Sequence, residues 1–169
     1  MINLIRPTLV GASLLASAFA TQASESAFLE SLDGSWSGKG TVKVRTDSSP
    51  INVNCKFSSD ASAESLSLDG NCRGLIIVSR AISADLKASG TKYAGSYVGA
   101  GTGKAGLSGA RSGNAINLGI AWAKEVNGDR AAQLTVKKVG ENGMRLTTTD
   151  IDPKSGKKVV ISEINLRRT

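Results

Sequence analysis

Short segments in which apolar and polar residues alternate follow one another along most of the chain, and this pattern restricts the fold more than any other feature. In the clearest segment, Ile116, Leu118, Ile120 and Trp122 fall on one side. Such a period of two is typical of a strand with one buried face. Clusters of Gly, Asn, Asp or Pro separate about ten such segments, at the ~8–12-residue spacing of sandwiches and barrels.

A series of short hairpins must hide the unpaired backbone groups of its edge strands, and closure into a barrel removes those edges. We therefore predict an all-β fold, a single antiparallel up-and-down β-barrel of about 8–10 strands. One helical turn is expected before the barrel, over Ser26–Leu32, where Phe28, Leu29 and Leu32 form a small apolar face.

The N-terminus has the features of a signal peptide. A basic residue is followed by the small and apolar run Leu9–Ala20, and small residues precede two cleavage positions. We predict that residues 1–23 are a cleaved signal peptide, with cleavage after Ala20 or Ala23, and that residues 24–169 form a single β-barrel domain. The run is shorter than the ~20 residues that span a bilayer, so we expect export to the periplasm, with secretion as the alternative.

Two cysteines, Cys55 and Cys72, lie on strand-like segments. Cys55 shares the apolar face of Ile51–Phe57, Cys72 shares that of Leu66–Cys72, and the turn cluster Ser58–Ser62 separates them. A hairpin would place the two residues nearly opposite one another, at the ~4.5–5.5 Å Cβ separation of cross-strand pairs. In an oxidising compartment this predicts a disulfide. The alternative, a metal site, lacks further thiols and histidine.

The chain contains no histidine. It therefore lacks the commonest general base and the commonest metal ligand, and Ser-His-Asp and Cys-His mechanisms are excluded. If the cysteines are paired, no thiolate nucleophile remains. We predict a non-catalytic protein with no catalytic residues, no metal and no cofactor.

Two motifs resemble ligand loops but differ from them in spacing. Gly99–Ala105 resembles a phosphate-binding loop, but it lacks the Walker spacing, and Ala105 stands where Ser or Thr would bind magnesium. Asp150, Asp152 and Gly156 resemble part of a calcium loop, but an EF-hand needs its glycine one place earlier and a final glutamate. We interpret the first segment as a loop and the second as a turn.

The formal net charge is +7, and removal of the signal peptide would leave +6. Cations crowd the C-terminal third, and if its strands are neighbours, Lys137, Lys138, Lys157 and Lys158 could form an anion-binding face. Such a face suits an anionic envelope component or another envelope protein. The alternative is that these are solvated lysines that protect strand edges. Nucleic acid is not expected, because few aromatic residues accompany the charge.

Both ends of the predicted barrel resemble the lipocalin (calycin) arrangement. A helical turn precedes Gly34-Ser35-Trp36, and basic residues Arg167 and Arg168 close the last strand. The resemblance implies a barrel plug in which Trp36 fills the closed end and Arg167 or Arg168 packs across its ring. The family's middle-strand motif is absent, and Trp36 could instead be an ordinary core aromatic residue.

A second resemblance is to small exported envelope proteins of alphaproteobacteria, an uncharacterised family. The matching motifs are Trp36-Ser37-Gly38-Lys39-Gly40, the early cysteines at 55 and 72, and the ending Leu166-Arg167-Arg168. The resemblance spans most of the predicted domain and implies a cell-envelope location, without implying an activity.

These observations lead to one functional expectation and two alternatives. We expect an exported, non-catalytic binding or interaction module with a basic surface. One alternative is a lipocalin-like carrier of a small apolar ligand, with Tyr93, Tyr97, Ile120 and Trp122 as candidate lining residues. The other is an inhibitor of a secreted hydrolase.

Overall fold

A computed structural model describes residues 25–74, 78–99 and 101–169. The predicted signal peptide and both of its cleavage positions lie outside the described residues. No helix within the described residues is long and apolar enough to cross a bilayer.

Within the described residues, ten antiparallel strands form one closed barrel, which confirms the predicted fold class. Each strand pairs with the next along the chain, and β1 pairs with β10 to close the sheet. The strands are β1 Gly34–Val42, β2 Ile51–Ala61, β3 Ser65–Gly74, β4 Val78–Ser89, β5 Lys92–Val98, β6 Ala105–Ser112, β7 Ala115–Val126, β8 Asp129–Val139, β9 Gly143–Ile151 and β10 Lys158–Arg168.

Alternation along each strand determines which side chains fill the interior. In β7 the predicted face of Ile116, Leu118, Ile120 and Trp122 is buried, and the residues between them are exposed. The same pattern in the other strands gives a continuous core of aliphatic and aromatic side chains inside the barrel. Burial of this core, rather than local propensity, stabilises the sheet.

The predicted disulfide joins β2 to β3. Cys55 and Cys72 are direct cross-strand partners with Cα atoms 4.1 Å apart, and both side chains are buried. The bond therefore fixes the register of this hairpin from inside the barrel.

The two ends of the barrel differ. At the end where β1 begins, a helical turn over residues 25–30 covers the opening. Leu29 of this turn and the following Leu32 are fully buried. This agrees with the helical turn predicted over Ser26–Leu32. At the other end, where β1 finishes, loops such as those between β1 and β2 and between β9 and β10 surround an opening. We call these the closed end and the open end.

Candidate ligand-binding cavity

The open half of the barrel contains a cavity of about 260 Å³. Its wall is mainly apolar, with aliphatic side chains from several strands: Val42, Val44, Ile51, Val53, Ile82, Val126, Ile161 and Ile164. A smaller space of about 50 Å³ lies deeper, and the two share Ile82, Tyr97, Thr148, Ser162 and Ile164. The volume is close to the lower limit of ~300 Å³ for small-molecule sites, so the cavity suits a small ligand.

Aromatic residues of β5 and β7 form one wall of this cavity. Tyr97 and Trp122 pack edge to face, with ring centroids 5.8 Å apart. Trp122 is only 3% exposed, yet its indole Nε1 has no hydrogen-bond partner among the described residues. Burial raises the pKa of Tyr97, so its phenol stays protonated at neutral pH.

Two charged residues are found among the described lining residues of the cavity, and both are cationic. Arg80 faces inward from β4 and donates from Nη1 to the carbonyl oxygen of Gly99 at 3.3 Å. Lys43, which directly follows β1, also lines the cavity. Among the described lining residues there is no carboxylate.

Hydrogen bonds between two loops hold one side of the mouth. Thr46 in the β1–β2 loop donates to Asp152 at 3.0 Å, and Lys154 in the β9–β10 loop pairs with Asp47 at 3.1 Å. Hydrogen bonds from Ser155 and Thr46 lower the pKa of Asp152, and those from Lys154 and Arg45 lower the pKa of Asp47. These carboxylates therefore remain ionised in mildly acidic solution, and the loop contacts remain with them.

At the closed end the structure places Trp36 and Arg168 together, in the arrangement that the lipocalin resemblance implies. Trp36 is 1% exposed and donates from Nε1 to the carbonyl oxygen of Leu32 at 3.1 Å. The guanidinium of Arg168 lies 4.5 Å from the centre of the Trp36 ring and donates to the carbonyl oxygens of Ser31 and Asp33. Arg168, rather than Arg167, makes this contact, because alternation points Arg168 inward and Arg167 outward.

A second arginine at the closed end was not recognised from the sequence. Arg111 lies 4.8 Å from the centre of the Phe28 ring and pairs with Glu25 at 2.7 Å. Tyr93 donates to the same carboxylate, which is buried. Burial and this hydrogen bond raise the pKa of Tyr93. Glu25 and Arg111 are 86 residues apart, so no local motif could have shown that they meet.

The four predicted ligand-lining residues lie in three different parts of the barrel. Tyr97 and Trp122 line the cavity. Ile120 is buried in the core but is not among the lining residues, because it lies one inward position deeper on β7 than Trp122. Tyr93 belongs to the plug, because its strand begins at the closed end and its hydroxyl reaches Glu25.

The predicted lysine face does not form as one surface. Lys137 points outward opposite Arg145, whereas Lys138 points inward at the closed end, 5.9 Å from the Trp36 ring centre, and bonds the carbonyl oxygen of Gly140. Partial burial and the nearby Arg168 lower the pKa of Lys138.

The other two lysines lie at the open end. Lys157 is in the β9–β10 loop, and Lys158 donates to Gln133 at 2.9 Å. On β9, Lys158 lies opposite Ile151, whereas Lys137 lies opposite Arg145. These two positions of β9 are six residues apart, so Lys158 and Lys137 are separated by about 20 Å along the strands. The pair at 137 and 138 lies at the closed end, and the pair at 157 and 158 lies at the open end. Because neighbouring positions in a strand also point to opposite faces, the four positive charges are dispersed.

No group of three or more His, Cys, Asp or Glu side chains within the described residues is placed to hold a metal ion. The aspartates of the calcium-like motif have protein partners instead. Buried Asp150 accepts a hydrogen bond from Asn127 at 2.7 Å, and Asp152 accepts from Thr46 and Ser155.

These features define a class of protein: a small closed β-barrel of ten antiparallel strands, plugged at one end and hollow at the other. Among solved structures, the chain is similar to the crystal structure of Rv2717c from M. tuberculosis, with a TM-score of 0.60 and 13% sequence identity, over 83% of this chain and 94% of that chain. At this identity the likeness shows the fold alone. No protein-family model matches the sequence, and no match was found among curated proteins.

Proposed function

We propose that the protein is an exported, non-catalytic binding protein that holds a small, mainly apolar ligand in the open half of its barrel. The observation that carries the proposal is Trp122, a buried indole whose N–H has no partner among the described residues and whose ring lines an apolar cavity. A buried donor without a partner costs ~1–3 kcal/mol. A ligand acceptor beside this indole would remove that cost.

The chemistry of the lining indicates the form of the ligand. An apolar body would bury itself against the aliphatic wall, with a favourable free energy of about 25 cal/mol per Å². One polar end would accept from Trp122 or Tyr97, and a negative charge there would be favoured by Arg80 and Lys43. The proposed ligand is therefore a small apolar molecule with an acceptor or anionic group at one end.

Two further observations support the exported and lipocalin-like parts of this proposal. A buried disulfide is typical of proteins from oxidising compartments, which accords with the signal peptide expected in residues 1–23. The contact of Arg168 with the plug residue Trp36 accords with the lipocalin arrangement. The absence of histidine and the paired cysteines support a non-catalytic role.

The experiment is a fluorescence titration of the oxidised protein with two apolar probes, neutral N-phenyl-1-naphthylamine and anionic 1-anilinonaphthalene-8-sulfonate. Ile161→Trp introduces a large ring into the cavity, whereas Val160→Trp places the same ring at the neighbouring, exposed position. We expect Ile161→Trp to weaken binding of both probes at least tenfold and Val160→Trp to change it less than twofold.

A third variant tests the polar end of the cavity. Arg80→Gln is expected to weaken binding of the anionic probe at least fivefold and to leave the neutral probe almost unaffected, because only the sulfonate interacts with the guanidinium. Equal binding of the probes to the Ile161→Trp and Val160→Trp proteins would place them outside the cavity and overturn the proposal.

A further inference from the structure

The outer wall of β1, β2 and β3 contains a shallow groove of about 470 Å³ that is separate from the barrel interior. We call it the outer groove. Its outward-facing lining side chains are all polar or cationic: Ser37, Lys39, Asn54, Lys56, Asn71 and Arg73. These residues are distant in the sequence and are brought together by the register of the barrel.

Two cross-strand rows produce this arrangement. In the first row Lys39 lies opposite Asn54, and Asn54 lies opposite Arg73. In the second row Ser37 lies opposite Lys56, and Lys56 lies opposite Asn71. Each cation therefore has a neutral hydrogen-bonding side chain directly beside it, and three adjacent strands each contribute one positive charge.

The cations of the outer groove form no ion pair in the described part of the chain. Lys39, Lys56 and Arg73 are exposed, and none takes part in the ion pairs found among the described residues. The neighbouring outward carboxylates, Asp69 on β3 and Glu163 on β10, lie in the flanking rows. Like charges on adjacent strands repel one another, so an anion bound between them would be stabilised by all three.

The floor of the outer groove is rigid. Cys55 forms part of it, and the disulfide to Cys72 joins β2 and β3 immediately beneath the exposed side chains. Ser79 on β4 donates to the side-chain oxygen of Asn71 at 2.6 Å and so orients that amide. Groups held in place before binding lose less entropy when a ligand arrives.

The row of charge also continues beyond the groove. Lys39 lies opposite Asn165 on β10, which lies opposite Arg145 on β9, and Arg145 lies opposite Lys137 on β8. Arg167 lies opposite Ser37 in the second row. Lys137 of the lysine face predicted from the sequence therefore belongs to this outer row.

We infer that the outer groove binds a phosphorylated saccharide, with phosphate groups on its three cations and sugar hydroxyl groups on Asn54, Asn71 and Ser37. Lysine and arginine are the side chains that bind phosphate, and amide and hydroxyl groups donate to and accept from sugar hydroxyls. Lys39 and Arg73 lie two strands apart, about 10 Å, which suits a ligand with two phosphates. No apolar side chain lines the groove outward, so an acyl chain has no place there.

The test is calorimetric titration of the exported, oxidised protein with glucose 1,6-bisphosphate, inorganic phosphate and glucose at one moderate salt concentration. We expect the bisphosphate to bind at least tenfold more tightly than phosphate, and glucose to bind more weakly than both. Backbone amide shifts on adding the bisphosphate should fall on β1, β2 and β3.

Two triple variants with the same loss of charge separate this site from general attraction. Lys39→Gln with Lys56→Gln and Arg73→Gln is expected to weaken bisphosphate binding at least tenfold. Lys87→Gln with Lys104→Gln and Lys124→Gln, all at exposed positions elsewhere, should change it less than twofold. Binding of N-phenyl-1-naphthylamine should be unchanged in both, which shows that the barrel is folded and distinguishes this site from the cavity.

Three results would overturn the inference. Equal weakening of bisphosphate binding in the two triple variants would mean that the ligand is attracted by the overall positive charge and not by the outer groove. Binding of inorganic phosphate as tight as that of the bisphosphate would remove the role of the saccharide. Binding of the protein to phosphatidylglycerol vesicles that depends on the groove cations, without binding of the soluble bisphosphate, would make the partner a membrane surface instead.

Discussion

Two arginines hold aromatic rings at the closed end of the barrel. Arg168 stacks on Trp36 and Arg111 stacks on Phe28, and each also bonds other groups around the helical turn. The two residues come from different strands, so together they attach the turn to opposite parts of the barrel rim. Gly34 is needed beside them, because its φ of 113° is unfavourable for other residues and the Arg168 guanidinium occupies the space of a Cβ atom.

Replacement of Arg168 by glutamine should lower the free energy of unfolding by about 1–3 kcal/mol. The variant loses a cation–π contact and the hydrogen bonds to Ser31 and Asp33. Urea unfolding at neutral pH measures the change. Arg167→Gln is the matched control, because this neighbour points outward, and it should change stability by less than about 0.5 kcal/mol. Equal effects of the two substitutions would contradict the plug.

Tyr93 should make stability depend on alkaline pH. Burial and Glu25 raise its pKa in the folded protein above the ordinary value of about 10, so the folded state holds the proton more tightly than the unfolded state. The contribution of the protonated Tyr93 to the free energy of unfolding is complete below about pH 10 and declines as the pH rises further. The difference in unfolding free energy between the wild type and Tyr93→Phe should therefore shrink between about pH 8 and pH 11. If the difference between the two proteins stayed constant with pH, the raised pKa of Tyr93 in the folded protein would be contradicted.

At the scale of the strands, the alternation of apolar and polar residues accounts for most of what the sequence predicts about the fold. The inward faces of β2 and β7 and the pairing of the cysteines followed from local patterns, because the period of two appears within a few residues. Contacts between distant strands did not follow. Lys39 and Arg73 share one row only because β2 lies between their strands in a particular register, and a register shift of one residue would have placed them on opposite faces.

The candidate site was also only partly predictable from the sequence. Of the four predicted lining residues, Tyr97 and Trp122 line the cavity, whereas Tyr93 and Ile120 do not. Arg80 was not recognised, because a cation at a strand end is ordinarily solvated, although alternation places it on the inward face of Ile82 and Leu86. The lysine face was wrong as a single surface, because counting charge in sequence ignores which face and which strand end each lysine occupies.

The β2–β3 hairpin gives a test at the element scale. The double substitution Cys55→Ala and Cys72→Ala should lower the free energy of unfolding by about 2–4 kcal/mol, because the disulfide restricts the unfolded chain. Urea unfolding of this variant and of the reduced wild type should give similar losses. A loss below about 0.5 kcal/mol in both would mean that the disulfide contributes little to the fold.

At the scale of the whole molecule, the barrel separates its two proposed binding regions. The cavity opens at one end and is mainly apolar, whereas the outer groove lies on the wall and is polar and cationic. Binding in the cavity rests on buried area and should respond weakly to salt. Binding on the exposed wall should weaken as salt rises, because charges there are screened over about 8 Å at physiological ionic strength.

The chain's two tryptophans provide the most direct test of the central claim that the open half holds the ligand. Trp122 lines the cavity with a free indole N–H, whereas Trp36 lies in the plug and bonds Leu32. The measurement is an NMR titration of the ¹⁵N-labelled, oxidised protein with N-phenyl-1-naphthylamine, in which both indole resonances are followed. The Trp122 resonance should move with increasing probe while the Trp36 resonance stays in place. Movement of Trp36 alone, or of neither, would contradict the claim.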